Sequence, residues 1–144
     1  MTLIERIESA DGPDRELDAE IAVAIRYFPQ NVGFVWKNDL EPNCPEIGRV
    51  TCVTSLGTGG PHYAAPKYTS SLDAALTLVQ EGWRPYSADM SVKDRTRFVI
   101  EGPKTQWATD DAGEKCAGTD WYAQGVASTP ALALCAAALK ARGL

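Results

Sequence analysis

The sequence predicts an α+β fold, an antiparallel β-meander packed by helices on both sides. Three observations carry this. Helix start signals precede apolar residues at helical spacing near the N-terminus, at Ser70 and at Thr129. Between residues 83 and 126, four short segments have strand character. The connections between them are short, which favours antiparallel pairing. The length of 144 residues is that of one domain, read here as 1–144. A chain of this size buries roughly 70% of its unfolded surface and needs no metal or disulfide staple.

The N-terminal helices are expected over 3–28. Thr2-Leu3-Ile4-Glu5 has the form of a capping box, so a short helix runs from Leu3 to Ser9. Asp11-Gly12-Pro13 breaks it. Pro13 suits the first turn of a second helix, where its missing N–H costs nothing. Leu17, Ile21, Ala24, Ile25 and Phe28 share one face of that helix, and Pro29 ends it. Asp14, Glu16, Asp18 and Glu20 crowd its N-terminal half, where the helix dipole favours them, and read as a solvated acidic face.

Residues 29–69 are expected to be extended or looped. Val32 to Trp36 and Val50 to Thr54 read as strands, and Glu41-Pro42-Asn43-Cys44-Pro45 as a loop. Gly57 to Lys67 reads as a long surface connection. It is a poor phosphate loop. A Walker A motif needs Lys directly after its last glycine, but Lys67 lies seven residues beyond Gly60, and Pro61 and Pro66 lack amide donors. Gly57-x-Gly59-Gly60 also fails the dinucleotide fingerprint.

A helix over 70–81 follows, with Ser70 as N-cap and Asp73 at the third helical position. Leu72, Ala75, Leu76 and Val79 form its expected buried stripe, and Gly82 its C′ residue. The meander strands, within 83–126, are Trp83 to Met90, Thr96 to Glu101, Gln106 to Thr109 and Trp121 to Val126. Asp110-Asp111-Ala112-Gly113 is a turn between the last two. The C-terminal helix, 130–142, has Thr129 as N-cap and Pro130 at its first position. Leu132, Leu134, Cys135, Leu139 and many alanines cover most of its circumference, so it should be packed on more than one side. Lys140 and Arg142 suit its C-terminal end, and Gly143 stops it.

Charge and cysteine usage narrow the function. A net charge of −5 argues against direct nucleic-acid binding, which wants a basic face. The apolar run Ala131 to Leu139 is far short of the ~20 residues of a membrane span. Met1 to Glu5 has neither a basic start nor a long apolar run, so a cytoplasmic protein without a signal peptide is expected. Cys44, Cys52, Cys116 and Cys135 form no C-x-x-C pair, and His62 is the lone histidine. Reduced, mostly buried thiols, no metal and no cofactor are expected.

Two segments resemble the phage ABA-sandwich domain family of tailed phages and prophages. They are "YTSSLDAALTLVQEGW" (Tyr68 to Trp83) and "STPALALCAAALKARGL" (Ser128 to Leu144). "DRELDAEIAVAI" (Asp14 to Ile25) fits the helix that commonly precedes them. The resemblance covers about the last half of the chain. It implies helices layered on both sides of a sheet, an α/β/α sandwich, in a protein of a bacterial host cell. Gln80 stands where that family often has proline. The family carries no established catalytic residues to transfer.

The first functional expectation is therefore a non-enzymatic phage or prophage accessory protein that binds a host or phage protein. One histidine in a glycine-rich segment makes no triad, and no catalytic residue is assigned. The second is a binder that sequesters a small nucleotide-like signal. Trp36, Trp83, Trp107, Trp121, Tyr63 and Tyr68 would supply stacking faces, and Lys67, Arg84 or Arg97 the charge. The weakest is a hydrolase or nuclease with a cation held by Asp110-Asp111 and Asp89. The candidate binding residues are Gly59, Gly60, His62, Tyr63, Lys67, Tyr68 and Arg84. Homo-oligomer formation is left open.

Overall fold

A computed structural model describes residues 1–27, 33–36, 49–54, 57–91, 93–103, 108–109, 115–116 and 122–144. For 33–36, 49–54, 57–64, 91, 108–109 and 115–116 only the backbone is described. The order is α1 (Leu3–Ser9), α2 (Arg15–Ala24), β1 (Gly33–Trp36), β2 (Arg49–Thr54), β3 (Gly57–Ala64), α3 (Leu72–Leu76), β4 (Arg84–Ser91), β5 (Arg95–Glu101), β6 (Ala108–Thr109), β7 (Lys115–Cys116), β8 (Tyr122–Ala127) and α4 (Pro130–Ala141). The class is α+β with antiparallel sheets. The strands form three of them, in the orders β1-β2-β3, β4-β5-β8 and β6-β7. β6 thus pairs with β7 instead of continuing the sheet of β4 and β5.

Local signals set the helix starts. The Thr2–Glu5 capping box of α1 is present in both directions. For α2 the expected start shifts: Asp14 is the N-cap, its carboxylate accepting from the Glu16 and Leu17 amides, and Pro13 precedes the helix. The helix also stops before the expected end at 28. Arg26 takes a left-handed φ of 57°, and the Arg26 and Tyr27 amides donate to the Val23 and Ala22 carbonyls. This closes a Schellman cap without a glycine. Phe28 and Pro29 lie outside the described residues.

α3 differs more. Its N-cap is Ser71, which accepts from the Ala74 amide, so neither the Ser70 cap nor its capping box forms. Its end comes early because the Thr77 hydroxyl donates back to the Ala74 carbonyl at 2.6 Å. Thr77, Leu78 and Val79 then continue in i→i+3 bonds, the tighter geometry of a 3₁₀ turn. Ala75 and Leu78 are the buried residues, whereas the expected Leu72 and Leu76 are 42% and 37% exposed.

α4 is the centre of the core. Every residue from Ala131 to Leu139 is buried. One side of the helix rests on β5 and β8, and others meet α1 and α3. Each buried leucine contributes about 1.5–3 kcal/mol. The cap is as expected from the sequence: Thr129 accepts from the Leu132 amide, and Pro130 opens the helix. Gly143, at φ 76°, lets the Gly143 and Leu144 amides reach the Lys140 and Leu139 carbonyls.

One acidic residue expected in solvent lies in this core. Asp18 is fully buried, paired with Arg15 at 2.6 Å and accepting from the Thr69 amide at 2.7 Å. Arg15 also donates to the Ala65 and Pro66 carbonyls. This network fastens the segment after β3 to α2.

Candidate binding face of the sheet

The stretch expected to be a surface connection, from Gly57 to Lys67, is for the most part strand β3. It pairs antiparallel with β2, with His62 opposite Thr51 and Tyr63 opposite Val50. The register shifts between Thr51 and Val53, so Gly59, Gly60 and Pro61 together face Cys52 as a bulge. Glycine and proline depress strand propensity, which is why this strand reads as a loop. A bulge is where a strand tolerates them. The side chains of His62 and Tyr63 lie outside the described set.

The remaining expected site residues separate. Lys67 is exposed in a turn, its carbonyl accepting from the Ser70 and Ser71 amides. Tyr68 is 1% exposed and belongs to the core, so it offers no stacking face. Its carbonyl accepts from the Cys135 thiol at 3.4 Å. Arg84 stands on β4, in a different sheet from β3. Tyr68 is thereby withdrawn from the expected site, and Arg84 and β3 belong to separate sheets.

A different cluster forms on β4-β5-β8. α4 covers the face that carries Thr96, Phe98 and Ile100, and Gly125 lies directly beneath it. On the opposite face, strand alternation places Arg97, Val99 and Glu101 of β5 beside Tyr122 and Gln124 of β8. Tyr86 of β4 sits at a register shift between Pro85 and Ser87. Its ring meets that of Tyr122 edge-on, with centroids 5.4 Å apart and planes at 63°. Both rings face solvent, at 61% and 49% exposure.

Two cross-strand ion pairs flank the rings. Arg84 Nε and Nη2 donate to one oxygen of the buried Glu101 carboxylate, at 2.9 and 2.7 Å. Arg97 spans both oxygens of Asp89, and hydrogen bonding from that guanidinium lowers the Asp89 pKa. The positive and negative charges on this face thus balance within it. Tyrosine and arginine are the residues enriched where proteins meet. No sequence motif announces Tyr86 or Tyr122. The available signal was the strand alternation around Phe98 and Ile100, which implies an outward face on the neighbouring strands.

A shallow depression of about 600 Å³ is lined by Ala10 to Glu16. Asp14 there caps α2, and Arg15 is held by Asp18 and two carbonyls. Its polar groups serve the fold. No helix of the described residues is long and apolar enough to cross a membrane. Comparison with family models, with curated proteins and with solved structures finds no match to this chain.

Proposed function

We propose that the protein works by binding another protein, of phage or bacterial host, through the β4-β5-β8 face that carries Tyr86 and Tyr122. The observation that supports it is the exposed edge-to-face tyrosine pair beside Arg84. Rigid aromatic anchors next to an arginine have the composition of an interface hot spot. The layered arrangement with cover on both sides of the sheet belongs to this reading: α4 covers one face, and the bound partner covers the other.

The test compares the tagged chain with a Tyr86→Ala/Tyr122→Ala variant in phage-infected cells. Each eluate is analysed by mass spectrometry for proteins and for released small molecules. Truncating a central tyrosine costs about 2 kcal/mol, roughly thirtyfold in affinity. The expected result is a co-purifying protein that the variant loses, with the melting temperature unchanged. A nucleotide-like molecule in place of a protein would favour the sequestering reading. A protein retained at the wild-type level by the variant would move the site elsewhere.

A further inference from the structure

We propose that two copies of this chain pair edge to edge along β4, antiparallel, with Ala88 facing its own counterpart at the twofold axis. The sheet β4-β5-β8 has two edges, and they differ. The β8 edge is closed. The Val126 amide donates to Glu8 Oε1 at 3.3 Å, the Val126 carbonyl accepts from Arg95 at 3.0 Å, and the Gln124 carbonyl accepts from Lys140 at 3.1 Å. Lys140 also holds Glu8 at 2.6 Å. A strand arriving there would have to displace α1 and three charged side chains. Closing an edge in this way prevents unwanted pairing.

The β4 edge has no such cover among the described residues. Its residues from Arg84 to Met90 are all exposed. The register states which backbone groups point outward. Val126 gives its amide to Glu8, so Arg97 and Val126 form a non-hydrogen-bonded pair. Arg97 therefore bonds toward β4, which turns Asp89 inward and leaves the N–H and C=O of Ala88 and Met90 facing out. Unpaired strand groups are a template for another strand.

A second copy of the chain fits this template. A twofold axis in an antiparallel ladder passes midway between a residue and its own counterpart, at either a hydrogen-bonded or a non-hydrogen-bonded pair. Centring on Asp89 would set two carboxylates directly opposite each other, which is destabilising, and centring on Ser87 would run the innermost hydrogen bonds through the bulge at Tyr86. Centring on Ala88 uses the strand from Pro85 to Ser91, whereas centring on Met90 uses only Asp89 to Ser91. The Ala88 register opposes Ser87 to Asp89, so a hydroxyl meets each carboxylate and no like charges face each other. Tyr86 and Met90, 61% and 65% exposed, border the seam and lose apolar surface to it. Pro85 has no N–H to give, and it ends the ladder. The pairing closes on itself as a twofold dimer, so no open edge propagates.

The test is the mass of the full chain in solution by light scattering after size exclusion. Twice the mass of one chain is expected, and a single-chain mass would overturn the proposal. Ala88→Pro removes only the outward N–H and leaves the bonds of β4 to β5. It should elute as a single chain with an unchanged circular dichroism spectrum, and a variant still of double mass would overturn the assigned edge. If Ala88→Pro does not fold, Met90→Lys replaces it, because this side chain is already exposed and its charge opposes pairing; the same two outcomes apply. Register is read by cross-linking. Cα atoms of a hydrogen-bonded antiparallel pair lie ~5.5 Å apart, within disulfide reach. Mild oxidation should link Ala88→Cys into dimers beyond the wild-type background, and Ser87→Cys should not link. Equal linking of both variants would overturn the register.

Discussion

At Gly125 a single hydrogen in place of a methyl group sets how closely α4 can approach the sheet. A Cβ added there would lie 2.1 Å from the Ala133 carbonyl oxygen and 2.8 Å from the Ala136 Cβ. The first of these is backbone, which cannot rotate away. Gly125→Ala should therefore destabilise the protein by about 1–3 kcal/mol, the usual cost of overpacking. Urea unfolding checks it, and an unchanged midpoint would mean that α4 shifts without cost. Asp18 gives a second test at this scale. Asp18→Ala leaves the Thr69 amide and Arg15 without their buried acceptor, a loss of about 1–3 kcal/mol. Glu16→Ala, two residues earlier and exposed, should stay within about 0.5 kcal/mol. The same unfolding series separates the two, and equal midpoints would refute the distinction. Neither feature is legible in the sequence. Gly125 reads only as a weak strand residue, and the burial of Asp18 depends on Thr69, 51 positions away.

Elements whose own residues carry the signal were legible, β1, β2, β4, β5 and β8 among them, whereas features that depend on a distant partner were not. α1 and α4 carry their caps and apolar residues within one stretch, and both lie where the sequence places them. Leu139→Ala in α4 should cost about 2–5 kcal/mol, the range for truncating a fully buried leucine. A melting temperature equal to that of the wild-type chain would make α4 peripheral. α3 was legible in position but not in detail, because two serines compete for its cap and Thr77 bonds backward. β3 was not legible at all. Its glycines and proline oppose a strand locally, and only pairing with β2 supplies the hydrogen bonds that offset them. The tyrosine pair has the same origin. Tyr86 and Tyr122 are 36 positions apart, and the pairing of β4 and β8 on either side of β5 brings their rings together.

Across the whole molecule, one core joins α1, α2, α3 and α4 to the β4-β5-β8 sheet, and the titratable side chains of Tyr68 and Cys135 lie inside it. Tyr68 and Cys135 are 1% and 0% exposed, and the thiol meets the Tyr68 carbonyl. Burial disfavours the charged form of each. It pushes the Tyr68 hydroxyl from 10.0 up to about 12, and the Cys135 thiol from 9.0 up to about 12. Both are acids with raised values, so the folded chain keeps protons that the unfolded chain releases. Their contribution is fully present below the unfolded values and is lost as pH rises from about 9 toward about 12. The urea midpoint should therefore fall increasingly steeply above pH 9. Because both groups sit where α4 meets the segment before α3, their ionisation should unfold the core as a unit instead of fraying an edge. Tyr68→Phe and Cys135→Ala each remove one of the groups, and each should flatten the alkaline fall even where it lowers stability at neutral pH. If the Tyr68→Phe/Cys135→Ala double variant fell with pH as steeply as the wild-type chain, the alkaline limit of this fold would not lie in its core.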